Sequence, residues 1–193
     1  MASNRLALNP LKSKFLWYTS PRHTHLIDKS AFVLPDDSVN ASSSVRNLVV
    51  YFDESLSMTD HVTRLVRLCF YQLRCIRFIR CSLTIAVATR LVNSFIIARI
   101  DFCNSILAAL PRYQISRIQS ILNVGVRLIH GHSRCEHITP TLRDRLHWLR
   151  VPEKIVFKRC LLVYKALHGL ALAYISSYCI KASSRRCLRS STH

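Results

Sequence analysis

His130, His132, Cys135 and His137 place four possible metal ligands in one short run. A zinc module usually offers its ligands as two spaced pairs, so that the chain between them wraps the ion. The H-x-H-x2-C-x-H spacing has no second pair and reads more simply as a polar loop between helices, so no metal site is assigned. Cys69, Cys75 and Cys81 repeat every six residues. On a helix each such step turns about 240°, and the three thiols diverge. Asp53 and Glu54 are adjacent carboxylates, the residue type that holds magnesium in phosphoryl transfer. Neighbours on a strand point to opposite faces, so no catalytic pair is assigned there. Asp101, beside Arg99, reads as a structural ion pair or a bond to a neighbouring helix. What remains is basic. Arg64, Arg67, Arg74 and Arg77 are expected as one stripe on the side of a helix opposite its apolar face, with Tyr71 interleaved, and no Asp or Glu falls between Asp60 and Asp101. A solvated helix face normally mixes signs. Guanidinium forks match phosphate oxygens, and a tyrosine among them offers a surface on which a base can stack. These five residues are the candidate nucleic-acid contacts.

The charge of the whole chain agrees. Its 193 residues carry 28 Lys and Arg against 10 Asp and Glu, a formal +18. An excess of that size repels itself in a folded globule, and a polyanionic partner relieves it. The excess is not uniform: residues 1–55 hold six basic and five acidic side chains, residues 56–180 eighteen and five, and residues 181–193 four and none. Three glycines are too few and too scattered for a phosphate-cradling loop or a dinucleotide fingerprint, so the common nucleotide-binding folds are excluded. Half the residues are hydrophobic, enough for a packed core. The eight cysteines sit mostly in apolar helical patterns, where Cys behaves as a small hydrophobe. With no apolar stretch in Met1–Pro10, the expectation is a reduced, cytoplasmic or nuclear protein that is not secreted. The longest uncharged run of the helical half, between Lys165 and Lys181, is fifteen residues and includes His168 and Gly169. It falls short of a membrane span, so no membrane partner is expected.

The elements that must position these residues divide in two. Residues 14–19 and 46–52 read as short strands, as does Phe32–Leu34 before the Pro35-Asp36-Asp37 turn, with a polar loop over 40–44 and a short helix near Arg22–Ile27. From Ser57 the period becomes helical. Val62, Leu65, Val66, Cys69, Leu73 and Ile76 form one apolar stripe, with Ser57 or Thr59 as cap and Asp60 in the first turn. A second run follows Ser82 to about Ala108, apolar on most sides and therefore expected at the centre. Further helices are expected from Pro111 to about Ile129, stopping at Gly131; from Thr139-Pro140 through Leu146; from Pro152 to Gly169; and over 171–178. The expected fold is mainly α, a bundle of about five helices preceded by a short β-rich piece. The basic, Ser-rich stretch 181–193 is expected to be disordered.

Several words along the chain are specific in combination. They are Asn4-Arg5-Leu6-Ala7-Leu8-Asn9-Pro10-Leu11-Lys12-Ser13, Val45-Arg46-Asn47-Leu48, Ser57-Met58-Thr59-Asp60-His61-Val62 and Arg99-Ile100-Asp101-Phe102-Cys103-Asn104-Ser105. Leu122-Asn123 with Arg127, His137-Ile138-Thr139-Pro140, Leu146-His147-Trp148-Leu149, Phe157-Lys158 and Val163-Tyr164-Lys165-Ala166-Leu167-His168-Gly169 continue the series. Over residues 4–180 the chain resembles the C-terminal part of the reverse transcriptase (an RNA-directed DNA polymerase) of non-LTR, LINE-type retrotransposons, the jockey-like group above all. The resemblance implies that residues 1–55 are the end of a polymerase palm. In that palm Lys12 stands where the family's motif D lysine lies near the departing pyrophosphate. It implies that 56–180 form a thumb-like region holding an RNA or DNA template–primer duplex by its backbone. The carboxylates that bind Mg²⁺ in the full-length polymerase would belong to palm segments preceding Lys12. The expectation is therefore a truncated or mis-started copy of a transposable element. Alone, it would have no cofactor and no polymerase activity. Departures from the family include Val49 where glycine is usual, Lys14 where an acid is usual, Gly125-Val126 for paired alanines, and Arg150 and Leu172 for prolines. Competing expectations are a helical interaction module that binds an acidic protein and a remnant too unstable to function.

Overall fold

The computed structural model describes residues 9, 12–20, 22–23, 32–33, 38–133 and 135–179. The protein is mainly helical, with a small antiparallel hairpin before the helices. Strands β1 (Phe32–Val33) and β2 (Ser38–Val39) pair antiparallel. Strands β3 (Ser44–Asn47) and β4 (Val50–Asp53) form the hairpin, with Asn47 opposite Val50. Helices α1 (Thr59–Ile79), α2 (Ile85–Val92), α3 (Ala98–Asp101), α4 (Arg112–His130), α5 (Val151–Leu167) and α6 (Ala173–Tyr178) follow.

Three expectations for the first section are corrected. The apolar run 46–52 is not one strand but two, folded at Leu48-Val49. The turn lacks the Asn-Gly or Asp-Gly signal that usually marks such a fold, and Leu48 itself takes a left-handed φ of 56°. Residues 14–19 form no strand: Phe15 makes a single bridge to Ala41, and the Thr19 N–H donates to the carbonyl of Glu54. The polar stretch 40–44 closes with Ser44 already in β3. Of the expected helix near Arg22–Ile27, residues 24–27 lie outside the described residues, as do the Pro35-Asp36-Asp37 turn and the 181–193 tail.

Leu48 is 77% exposed, so a smaller side chain loses no packing there. Glycine adopts positive φ without the Cβ clash that a branched side chain suffers. Leu48→Gly is expected to stabilise the fold by about 1 kcal/mol, read as a rise of about 3 °C in Tm.

The helical periods hold better. α1 starts where the Asp53 carboxylate accepts the Ser57 N–H at 2.7 Å and the Ser57 hydroxyl at 2.8 Å. Met58, left-handed at φ 57°, is the residue at the cap position, and the Ser57 hydroxyl accepts the Thr59 N–H. Neither Ser57 nor Thr59 occupies the cap itself. Thr84 caps α2 by accepting the Val87 N–H. A π-turn over Asn93–Ile97 joins α2 to α3. The run expected to reach Ala108 stops at Asp101 instead, because Cys103 is left-handed (φ 51°) and a 3-10 segment, Asn104–Ala109, begins after it. Gly131 and Gly169, at φ 71° and 69°, end α4 and α5 as expected.

The run after Ser82 shares the centre of the core with α4: Ala88, Val92, Ile96 and Ile100 of that run and Ile118, Ile121, Leu122, Val126 and Ile129 of α4 are enclosed, although Ile85, Val87 and Phe95 stay exposed. Gly125 allows the close approach: a Cβ there would lie 3.2 Å from Val92 Cγ1. α1 packs its stripe of Val62, Leu65, Cys69, Leu73 and Ile76 against α4. Arg80, just after α1, donates to the carbonyls of Leu128 (2.8 Å), Ile129 (2.6 Å) and Leu83 (2.8 Å), closing the end of α4. α5 docks through Val151, Ile155 and Ala166, and Lys154 reaches Asp101 at 2.9 Å. The apolar side chains of Leu162, Tyr164 and Leu167 on α5 are exposed. Among the seven described cysteines, all free, only Cys69 is buried. The expectation that most act as core hydrophobes holds for that residue alone. Among the described residues no helix is long and apolar enough to cross a membrane.

Candidate functional site

A cleft of about 520 Å³ opens between the β3–β4 hairpin, the first half of α1 and the end of α3. The hairpin brings Arg46, Val49 and Tyr51. α1 brings His61, Arg64, Leu65, Arg67, Leu68 and Tyr71, and the end of α3 brings Arg99 and Phe102. Four guanidinium groups thus line one concavity that contains no carboxylate. Among the described residues none of the four is paired with an acid. Arg46 donates through Nε to the Leu48 carbonyl at 2.7 Å, which fixes it to the hairpin turn. Arg64 stacks on Tyr51, its guanidinium carbon 4.5 Å from the ring centroid, and Arg46 lies 5.9 Å from the same ring. Such cation–π contacts hold guanidinium planes in place without neutralising them. Like charges gathered with no counterion create a strongly positive potential, and apolar walls concentrate it.

The structure divides the five candidate contacts. Arg64, Arg67 and Tyr71 line the cleft together. Arg77 does not. Thirteen residues after Arg64 it has rotated by about 140° around the helix. It lines a second concavity of about 740 Å³ with Arg80, Arg127 and His132. Arg74 is exposed on the same helix and lines neither. Lys12 is exposed in a turn, its N–H donating to the Asn9 carbonyl, and it does not line the cleft. Arg46, Arg99 and His61 are the site residues that sequence reasoning missed. Arg99 did leave one signal, as the last member of the arginine series that runs without an acid from Asp60 to Asp101.

The other constellations have structural partners. His132 bridges the Glu136 carboxylate and the Thr141 hydroxyl, the latter at 3.0 Å. Cys135 and His137 are exposed, and among the described residues no three His, Cys, Asp or Glu side chains gather as a ligand set. Asp53 has both carboxylate oxygens engaged by Ser57, with Ser55 also donating. Asp101 pairs with Lys154 of α5 rather than with its neighbour Arg99.

Burial lowers the pKa of His61 in the cleft wall, and burial followed by the charges of His132, Arg145 and Arg80 lowers that of His130. The Ser133 backbone N–H lowers that of Glu136, and the Arg150 backbone N–H that of Glu153. Burial pushes the Cys69 thiol up to about 11, against a smaller opposing pull from Arg99. A histidine with a depressed folded pKa binds fewer protons than it does unfolded. Its contribution to stability is whole above the ordinary 6.5 and is lost as pH falls through the folded value. Tm is therefore expected to be level above neutrality and to fall as pH drops below 6.5. The fall should steepen below the ordinary carboxylate value of 4.5 as the two glutamates protonate. A pH series of thermal melts with wild type and His61→Gln checks it: the variant should lose part of the first slope and keep the second. No family model matches this chain, and neither a curated protein nor a solved structure does.

Proposed function

We propose that the helical region grips a nucleic-acid template–primer duplex by its sugar–phosphate backbone, in the manner of the thumb of a non-LTR retrotransposon reverse transcriptase. The observation that carries the reading is the cleft in which Arg46, Arg64, Arg67 and Arg99 meet without a carboxylate. The words shared with that family along residues 4–180, the mainly helical architecture and the formal +18 charge support it. The role is grip, not chemistry: the adjacent acids Asp53 and Glu54 begin the turn into α1, and Asp53 is committed to Ser57. Primer extension by this chain on an RNA template with Mg²⁺ is expected to give no product.

Binding through phosphates releases condensed counterions, so affinity falls with salt. Filter binding of a recessed duplex across low to moderate salt should give a log–log slope of about −3.5, near −0.9 for each of four contacts. An affinity that ignores salt would falsify the reading. Competition by polyglutamate stronger than by nucleic acid of equal charge would move it to an acidic protein partner.

A further inference from the structure

A duplex backbone is a convex ridge with its bases turned inward: it can use the four arginines of the cleft but leaves the apolar part of the lining idle. The cleft has such walls. Its volume of about 520 Å³ falls within the range of small-molecule sites. Beside the four arginines stand Val49, Leu65, Leu68, Tyr71 and Phe102. Phosphate oxygens gain nothing from the four hydrocarbon side chains and could use only the hydroxyl of Tyr71, whereas the flat face of a base gains from them all. Two aromatic rings are open for that purpose. Tyr71 is 59% exposed and Phe102 40% exposed, and neither stacks on another ring or on a guanidinium among the described residues. Tyr51, by contrast, already carries the Arg64 guanidinium. Charge and flat apolar surface thus lie side by side in one cleft, the combination that a single nucleotide presents.

Building on the backbone-grip reading, we infer that the cleft seats one unstacked nucleotide of a single strand, its phosphate among Arg46, Arg64, Arg67 and Arg99 and its base against Tyr71 and Phe102. Single-stranded template beyond the paired region of a template–primer supplies such a nucleotide. Phosphate contacts to the four arginines then set the affinity common to all substrates, and the apolar lining adds a term that depends on the presence of a base.

The test compares two recessed duplexes with overhangs of about six nucleotides, within the reach of one binding groove. One overhang has normal bases and the other is abasic with the same phosphates. The normal overhang is expected to bind about tenfold tighter at equal salt, the scale of one base–aromatic stack. Tyr71→Ala should remove that difference between the probes, and Tyr71→Phe should keep it. Equal binding of the two probes, with the salt slope retained, overturns the inference and leaves the backbone grip standing. So does a tenfold difference that survives Tyr71→Ala. Absence of salt-sensitive binding to either probe overturns the grip itself. The comparison of probes uses the unaltered chain, so it does not depend on a variant's folding.

Discussion

Arg64→Gln with Arg67→Gln is expected to weaken binding of a recessed duplex about a hundredfold at low salt. Each charge-assisted bond to a phosphate contributes about 1.5 kcal/mol, so two together approach 3 kcal/mol. The salt slope should shrink by about 2, because two fewer counterions are released. Both side chains are exposed on α1, and neither enters the core. Arg64 does lie over Tyr51, so its loss costs the hairpin a stacking partner. Arg67→Gln alone is therefore the cleaner measurement, with about a tenfold loss and an unchanged melting curve. Filter binding over a salt series reads both numbers at once. A double variant that keeps wild-type affinity would place the grip elsewhere on the molecule.

The second large effect concerns stability. Arg80 spends its guanidinium on three carbonyls, two of them among the last of α4. Those carbonyls have no partner within their own helix, and the negative end of the helix dipole lies there. One positive side chain thus ties the end of α1 to the end of α4. Arg80→Ala removes three charge-assisted bonds and leaves half-buried oxygens unsatisfied, a loss of about 3 kcal/mol. For a chain of this size Tm should drop by about 9 °C. Arg80→Lys keeps the charge but not the fork and should recover about one of those 3 kcal/mol. A melt of Arg80→Ala within a degree of wild type would show that water replaces the guanidinium without cost.

Helices α1, α4 and α5 were legible because their apolar residues recur at the helical period and their ends carry residues suited to ending them. Gly131 and Gly169 adopt the left-handed turn that only glycine takes freely. The hairpin was not legible. Its turn falls on Leu48, and nothing in the run RNLVVYF signals a reversal. The early end of α3 was hidden for the same reason, since Cys103 takes a positive φ that side-chain type does not announce. Half of the cleft followed from spacing alone: Arg64, Arg67 and Tyr71 fall within about 60° of one another on α1. The other half is tertiary. Arg46 and Arg99 arrive from a hairpin and a helix whose packing no local pattern encodes.

The π-turn at Asn93–Ile97 sets where Arg99 stands. It holds one residue more than a regular helix would need, and each residue turns the chain by about 100°. Were the same chain wound as a regular helix throughout, Arg99 would swing about a quarter turn off the cleft. A gene copy that lost a single codon inside this segment, that of the exposed Phe95 for example, would close the bulge and leave the arginine aimed as it is now. The same loss two turns earlier, in α2, would carry Ala88 and Val92 out of register with the core, so tolerance to deletion is confined to this one stretch of the helix.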